Sequence, residues 1–536
     1  MFDIIRILFT QASSTWNPAA MNDTPAAGLR TDPIERCDLL VVGGGVNGAG
    51  IARDAAGRGL SVLLAEQDDL AAHTSSASTK LIHGGLRYLE HHAFGLVRKA
   101  LIERELLLKS APHIMRPLRF VMPHDPSMRP AWLIRLGIWL YDHLARREVL
   151  PDSTTIRLAG HPAGAPLKPG FRKAFVYSDG WVDDARLVVL AARDAADRGA
   201  QVLTRTRVEQ AEVHDGRWRV RLRGRTGAER IVEARALINA SGPWAAQFLG
   251  EALGRSGGPG LRLVRGSHIV VPRRFDGDMA YLFQNTDRRI VFAIPYEQDF
   301  TLIGTTDVEH HGDPALARAE AAEVEYLCAL ASRCFREPLS PADVVWSYSG
   351  VRPLLDDHSG NPAELSRDYR LDLETAPAPL LSVWGGKITT FRRLAEEAVD
   401  LLAAPLMISA PAWTAHARLP GGDLSATINE TGHPGRDFAA FVAAQAQRLP
   451  WLPQALLMRW CRQYGSRIDR VVADARSLAE LGEQVAPQLY AAELRYLVRE
   501  EWARTVDDVA WRRTKLGLHL DADGLARIDD WLRANA

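Results

Sequence analysis

The chain lacks the features that would carry it through a membrane, onto nucleic acid or into a disulfide framework. Among its 536 residues no apolar run approaches the ~20 needed to cross a bilayer, which excludes a spanning helix but not attachment to a membrane surface. Charge of neither sign is in excess: Lys plus Arg and Asp plus Glu each total 65, so no global field favours nucleic acid and any anion site must be built locally. Cysteine is scarce. Cys37, Cys328, Cys334 and Cys461 show neither CxxC nor metal-ligand spacing, which argues for thiols in a reducing compartment and against a zinc site. Repeats and low-complexity tracts are also missing. What is present, 47% hydrophobic and 24% charged residues, suffices for two or three compact domains.

The opening MFDIIRILFT has a short apolar stretch without a basic flank, and an Ala/Pro/polar spacer follows it, so residues 1–36 read as a flexible extension in which Met21 is an alternative start. An apolar run at 38–43, a helical composition at 47–58 and a second apolar run at 61–66 then make a βαβ unit. Alternating patterns at 201–240 predict antiparallel hairpins, and those at 261–306 predict a separate sheet. From about 411 the chain turns linker-like, and 437–536 is patterned almost throughout as helix, AAELRYLVREEWARTVDDVAWRRTK included. We therefore expect an α/β domain over 37–410, with a β-rich substrate domain interleaved mainly at about 255–345, and an all-α domain over 411–536.

Gly43, Gly45 and Gly48 match G-x-G-x-x-G between strand and helix: a tight turn, close approach to a diphosphate, and close packing of the helix on the sheet. The helix N-terminus then faces the phosphates. Glu66 ends the second strand 18 residues past Gly48, placed to accept hydrogen bonds from an adenosine ribose and to disfavour a 2′-phosphate. NAD and FAD both fit this unit. The hydroxyl- and glycine-rich run TSSASTKLIHGGLRYLE at 74–90 favours FAD, whose longer ribityl diphosphate needs extra donors, although such runs are often plain surface loop.

At this point a family is visible. The βαβ segment and the 74–90 run, with YSDGWVDDARLV (177–188), INASGPWA (238–245), GSHIVVP (266–272), IGTTDVEHHGDP (303–314), YSGVRPLLDD (348–357), SVWGGKITTFRRLAE (382–396) and DDVAWRRTKLGL (507–518), resemble the FAD-dependent glycerol-3-phosphate dehydrogenases of bacterial respiration. The likeness runs from about residue 37 to the C-terminus and leaves out what precedes it. It implies oxidation of sn-glycerol 3-phosphate to dihydroxyacetone phosphate, with electrons passing through noncovalent FAD to membrane ubiquinone. It also implies a glutathione-reductase-type FAD-binding Rossmann domain in discontinuous segments, an antiparallel substrate domain and a helical C-terminal domain that covers the core or mediates a homodimer. The expected location is cytoplasmic, at the periphery of the inner membrane.

A phosphate substrate needs cations in fixed geometry, and the planar fork of arginine supplies them. By resemblance these are Arg352 and Arg87, the latter beside Tyr88; taken bare, each would be one surface ion pair among many. Lys387 follows Gly385 and Gly386 at a helix start, where it serves either charge building at flavin N1 and the C2 oxygen or the substrate itself; Thr389 and Thr390 are alternatively plain caps. His268 in GSHIVV is the candidate base for the substrate hydroxyl, and His83 is expected close to the flavin ring. The resemblance also assigns cofactor contacts to Val46 and Asn47 in the phosphate loop, to Ser75, Ser76, Thr79, Lys80, Gly84 and Gly85 in the 74–90 run, and to Val208, Gly242 and Gly386. No metal is expected.

RPAWLIRLGIWLYDHLARR at 129–147 places Trp132, Leu136, Trp139, Leu140 and Leu144 at helical spacing with arginines at both ends. This suits a helix lying in the bilayer interface near a quinone site, and suits a buried core helix nearly as well. Alternatives for the whole chain are an oxidase of the same family that uses oxygen, an amine or amino-acid oxidase, and a noncatalytic scaffold. The amine oxidases need no phosphate-grade arginines, and neutral charge counts against a nucleic-acid scaffold.

Overall fold

The computed structural model describes residues 35–125, 129–255, 259–285, 289–356 and 368–535; the extension expected at 1–36 lies outside them but for its last two residues. Its centre is an eight-stranded sheet. Strand β1 (Glu35–Val42) is flanked in parallel by β2 (Val62–Ala65) and by Glu229–Asn239, and Leu39, Leu40 and Val41 have no exposed surface. A strand buried on both faces reads as a continuous apolar run rather than an alternating one, which is why LLVV is legible as central. Helix α1 (Val46–Gly57) crosses between β1 and β2 and packs through its alanines against α4 (Asp184–Asp197) and the helix Phe391–Leu401. The opposite face is covered by the helix Ala245–Leu253 and by the hairpin Thr206–His214 with Arg217–Gly224, antiparallel as its alternation predicts.

A second sheet of ten strands carries the other half of the site. It takes strands from 261–355 and also from Leu81–Ile82, Met115–Pro123, Thr154–Arg157 and Lys173–Val182, so it reaches well before residue 255 in the chain. Its pairings are antiparallel except where Met115–Pro123 meets Ala280–Gln284 in parallel. The strand Leu261–Pro272, which carries His268, lies between Trp346–Leu355, which carries Arg352, and Phe300–Gly304.

Helix α2 (Phe94–Ser110) and helix α3 (Ala131–His143) lie beside this sheet. The C-terminal region has its own core around Trp460, Tyr464 and Leu494. It departs from an all-helical reading in two places, a ribbon formed by Gln484–Ala486 and Leu489–Tyr490 and a π-helical turn over Asp508–Arg513. The helix expected across 491–515 stops at Glu501, because Trp502 adopts a left-handed conformation (φ 56°) that ends it. Among the described residues no helix is long and apolar enough to cross a membrane.

Candidate active site

One cavity of about 1250 Å³ runs along the carboxyl ends of the parallel strands and on between the two sheets. It starts at the phosphate loop. Gly43 has φ +106°, and a Cβ there would lie 2.6 Å from Ala240 O; at Gly48 a Cβ would lie 1.9 Å from Gly43 O. Both glycines are therefore steric requirements, the first of turn and wall and the second of helix against turn. The Val46 N–H at the start of α1 donates to Ser75 Oγ at 3.0 Å, which brings the 74–90 run onto the helix N-terminus. Glu66 accepts from the Gly44 N–H (2.6 Å) and the Asp68 N–H (2.8 Å). Burial pushes its pKa up, and these two donors oppose the rise. Val208, Gly242 and Trp244 line the same end, Trp244 edge-to-face with His73 at 4.8 Å.

The middle of the cavity is built by Gly385–Thr389 together with His83 and Gly85. Asn47 Nδ2 donates to Gly385 O (3.2 Å), tying this loop to the start of α1. Thr389 Oγ1 accepts from the His83 N–H (3.2 Å) and donates to His83 O (3.4 Å), so it fastens the His83 loop rather than capping a helix; Thr390 makes no side-chain cap either.

Two cations line the same cavity. Lys387 Nζ sits 3.8 Å from the centre of the Tyr88 ring, and Arg352 donates to Asp307 Oδ1 (2.5 Å) and Thr305 Oγ1 (3.0 Å). All five side chains line the cavity. His268 lies one layer behind this wall, stacked on Tyr348 (4.8 Å, 14°), with Nε2 3.0 Å from the hydroxyl of Thr79, which is on the wall. Burial first, then the charges of Arg352 and Lys80, hold its pKa well below the usual imidazole range, so it is neutral.

Several expected contacts lie elsewhere. Lys80 is buried away from the cavity, its ammonium donating to Asp184 Oδ1 (2.8 Å) and Ser76 O (3.2 Å), because a carboxylate as buried as Asp184 needs a cation. Ser76 turns its hydroxyl to His73 O (3.3 Å), and Gly84 is off the wall with its N–H donating to Tyr141 Oη (2.8 Å). The side chain of Arg87 lies outside the described residues. Sequence reasoning missed Thr305, Asp307 and Trp244, although each sits in a block quoted for the resemblance; they become visible only once the second sheet brings 305–307 against Arg352. The four cysteines are free thiols, and among the described residues no group of acids, histidines and cysteines could hold a metal.

Comparison with known proteins places this geometry. Residues 38–392 match the family described as FAD dependent oxidoreductase, and residues 412–530 match the C-terminal domain of alpha-glycerophosphate oxidase. The chain is 50% identical over 513 residues to a glycerol-3-phosphate dehydrogenase of Pseudomonas aeruginosa, covering 95% of this chain and 97% of that one. The chain belongs to the FAD-dependent glycerol-3-phosphate dehydrogenase family. A D-erythritol 1-phosphate dehydrogenase of Brucella abortus is 49% identical over 499 residues, covering 93% of this chain and 98% of that protein.

 The solved glycerol-3-phosphate dehydrogenase of Bacillus halodurans complexed with FAD superposes at a TM-score of 0.72 with 27% identity, covering 93% of this chain and 94% of that one. The protein is thus an FAD-dependent oxidoreductase, and the glycine-walled cavity suits that cofactor: a diphosphate-sized turn that a single Cβ would fill, an acid at one end and a glycine loop beside a lysine at the other.

Proposed function

We propose that this enzyme oxidises sn-glycerol 3-phosphate to dihydroxyacetone phosphate and passes the electrons to a membrane quinone, ubiquinone in a respiratory membrane. The observation that carries the substrate reading is that Arg352 and Lys387 line the same cavity, where a phosphate dianion would find a guanidinium fork oriented by Asp307 and Thr305. FAD, held noncovalently with its adenosine half against Glu66 and its ring near His83 and Gly386, would accept the hydride from C2 of the substrate.

The chain's own residues then manage the proton. Thr79 stands between the cavity and His268, so the hydroxyl proton of the substrate passes through Thr79 Oγ1 to His268 Nε2. A neutral imidazole is the state required to receive it. Arg352 is one of the charges that depress the basicity of His268, and a phosphate dianion on Arg352 offsets that charge, so the base strengthens when substrate is in place. Lys387 supplies positive charge where the substrate meets the cofactor.

The quinone reading rests on α3. Trp132, Leu136 and Trp139 are 69%, 51% and 52% exposed on one face, while Ile138 and Tyr141 of the same helix are buried. Leu133, Leu136, Gly137 and Leu140 also line the cavity, as do Leu89 and Phe94, so its apolar end opens beside that face. A lipid surface taking up the tryptophans would bring a hydrophobic acceptor to this opening. The relative that acts on D-erythritol 1-phosphate makes a longer polyol phosphate the competing substrate. Anaerobic flavin bleaching by each of the two phosphates separates them: faster bleaching at lower concentration by glycerol 3-phosphate is expected, and the reverse order would replace the substrate.

A further inference from the structure

DDVAWRRTKLGL belongs to the C-terminal domain, yet its side chains reach back to the wall of the cofactor cavity. Arg513, fully buried, clasps Asp69 with both terminal nitrogens (2.5 Å to Oδ2 and 2.8 Å to Oδ1), and Arg512 Nε donates to the same carboxylate at 2.7 Å. Asp508 pairs with Arg205, whose backbone N–H donates to Asp68 O at 2.7 Å. Next in the chain, the Thr206 N–H donates to Glu66 O at 2.7 Å. Trp511 stacks on Trp346 at 4.5 Å, at the start of the strand that carries Arg352.

These contacts converge on two segments. One is Glu66–His73, which follows β2, and the other is Thr206–Glu209; Glu66, Ala72, His73, Thr206 and Val208 all face the cavity. Asp69 is buried, like Arg513. A buried carboxylate that loses its cations cannot stay where it is, so without Arg512 and Arg513 it would move toward water and draw Glu66–His73 with it.

We propose that this motif makes the C-terminal domain a clasp on the adenosine half of FAD, with Arg512 and Arg513 as positioning residues that act through Asp69. The inference rests on the placement of the adenosine half against Glu66, and it gives the Asp508–Arg513 motif a defined task. It also separates two jobs of the interdomain contact. Arg467, which pairs with Asp197 of α4 at 2.9 Å, joins the same two regions without touching the Glu66–His73 wall.

Full-length protein stripped of flavin and titrated with FAD, ADP and FMN tests this. FMN lacks the adenosine half and is the probe that loosening of the whole fold would also affect. In Arg513→Met the dissociation constants of FAD and ADP should rise at least tenfold with FMN unchanged, and Arg467→Met should leave all three alone. Unchanged FAD and ADP binding in Arg513→Met, or an equal loss for FMN, would overturn the clasp. Arg512→Met, which leaves the Arg513 pair in place, gives the same reading in a smaller measure if Arg513→Met fails to fold. Glu66→Ala, which removes the acceptor, is titrated alongside. If it keeps full ADP affinity, the adenosine placement is wrong and the clasp falls with it; if it weakens ADP while Arg513→Met does not, the clasp alone falls.

Discussion

Arg352 is held by Asp307 and Thr305, so its geometry and not only its charge is available for binding. Arg352→Lys keeps the charge and loses the fork. With charge-assisted hydrogen bonds contributing about 1.5–3 kcal/mol, KM for glycerol 3-phosphate should rise roughly ten- to hundredfold, measured in a steady-state quinone-analogue assay. His268→Asn should slow flavin reduction in anaerobic stopped flow far more than it weakens substrate binding; equal losses in both would leave His268 a packing residue. Gly43→Ala meets Ala240 O at 2.6 Å from a backbone at φ +106°, so the variant should purify without flavin colour. At this scale the sequence was legible where one residue type alone fits, as at Gly43 and Gly48. It was less so at Lys80, whose partner Asp184 lies 104 residues away and becomes a neighbour only in the fold.

Among the elements, α3 was the ambiguous one. Its amphipathic pattern fits a core helix and an interfacial helix alike, and periodicity cannot say which face a helix turns to its neighbours. The structure settles the facing: Tyr141 is inside, hydrogen-bonded to Asp179 and Gly84, and Trp132 and Trp139 are outside. Replacing both tryptophans with serine should leave melting within about 0.5 kcal/mol of the parent, because exposed side chains contribute little to folding. Co-sedimentation with lipid vesicles should fall sharply; full retention would remove α3 as the membrane contact. The parallel strands and α1 were legible for the opposite reason, since complete burial leaves an unmistakable apolar run. The ribbon at 484–490 and the stop at Trp502 were not, because left-handed turns at Gln488 and Trp502 leave no glycine signal.

Across the whole molecule, His113 reports on the seam where the C-terminal region joins the rest. It is fully buried between Gly421 and Gly465, and burial, then Arg186 and Arg462, push its pKa down to about 3. Unfolded, the ring takes a proton near pH 6.5; folded, it refuses one until about 3. Its contribution to stability is therefore intact above about pH 6.5 and is lost as pH falls through that window, by up to about 1.4 kcal/mol per pH unit. His113→Asn should flatten the loss of stability between pH 6 and 4 relative to the parent in denaturant titrations, roughly by that slope; parallel curves would contradict the buried neutral ring. Such a seam is invisible in sequence because its partners lie hundreds of residues apart, whereas the family blocks that build the cavity could be read directly.

The most direct test is anaerobic. The purified yellow protein is mixed with sn-glycerol 3-phosphate while the flavin band is followed, and a ubiquinone analogue is then added. Bleaching by the phosphate and recovery with the quinone, with only slow recovery in oxygen, is the predicted result. A flavin that stays oxidised, or one that oxygen restores as fast as quinone, would contradict the proposed reaction.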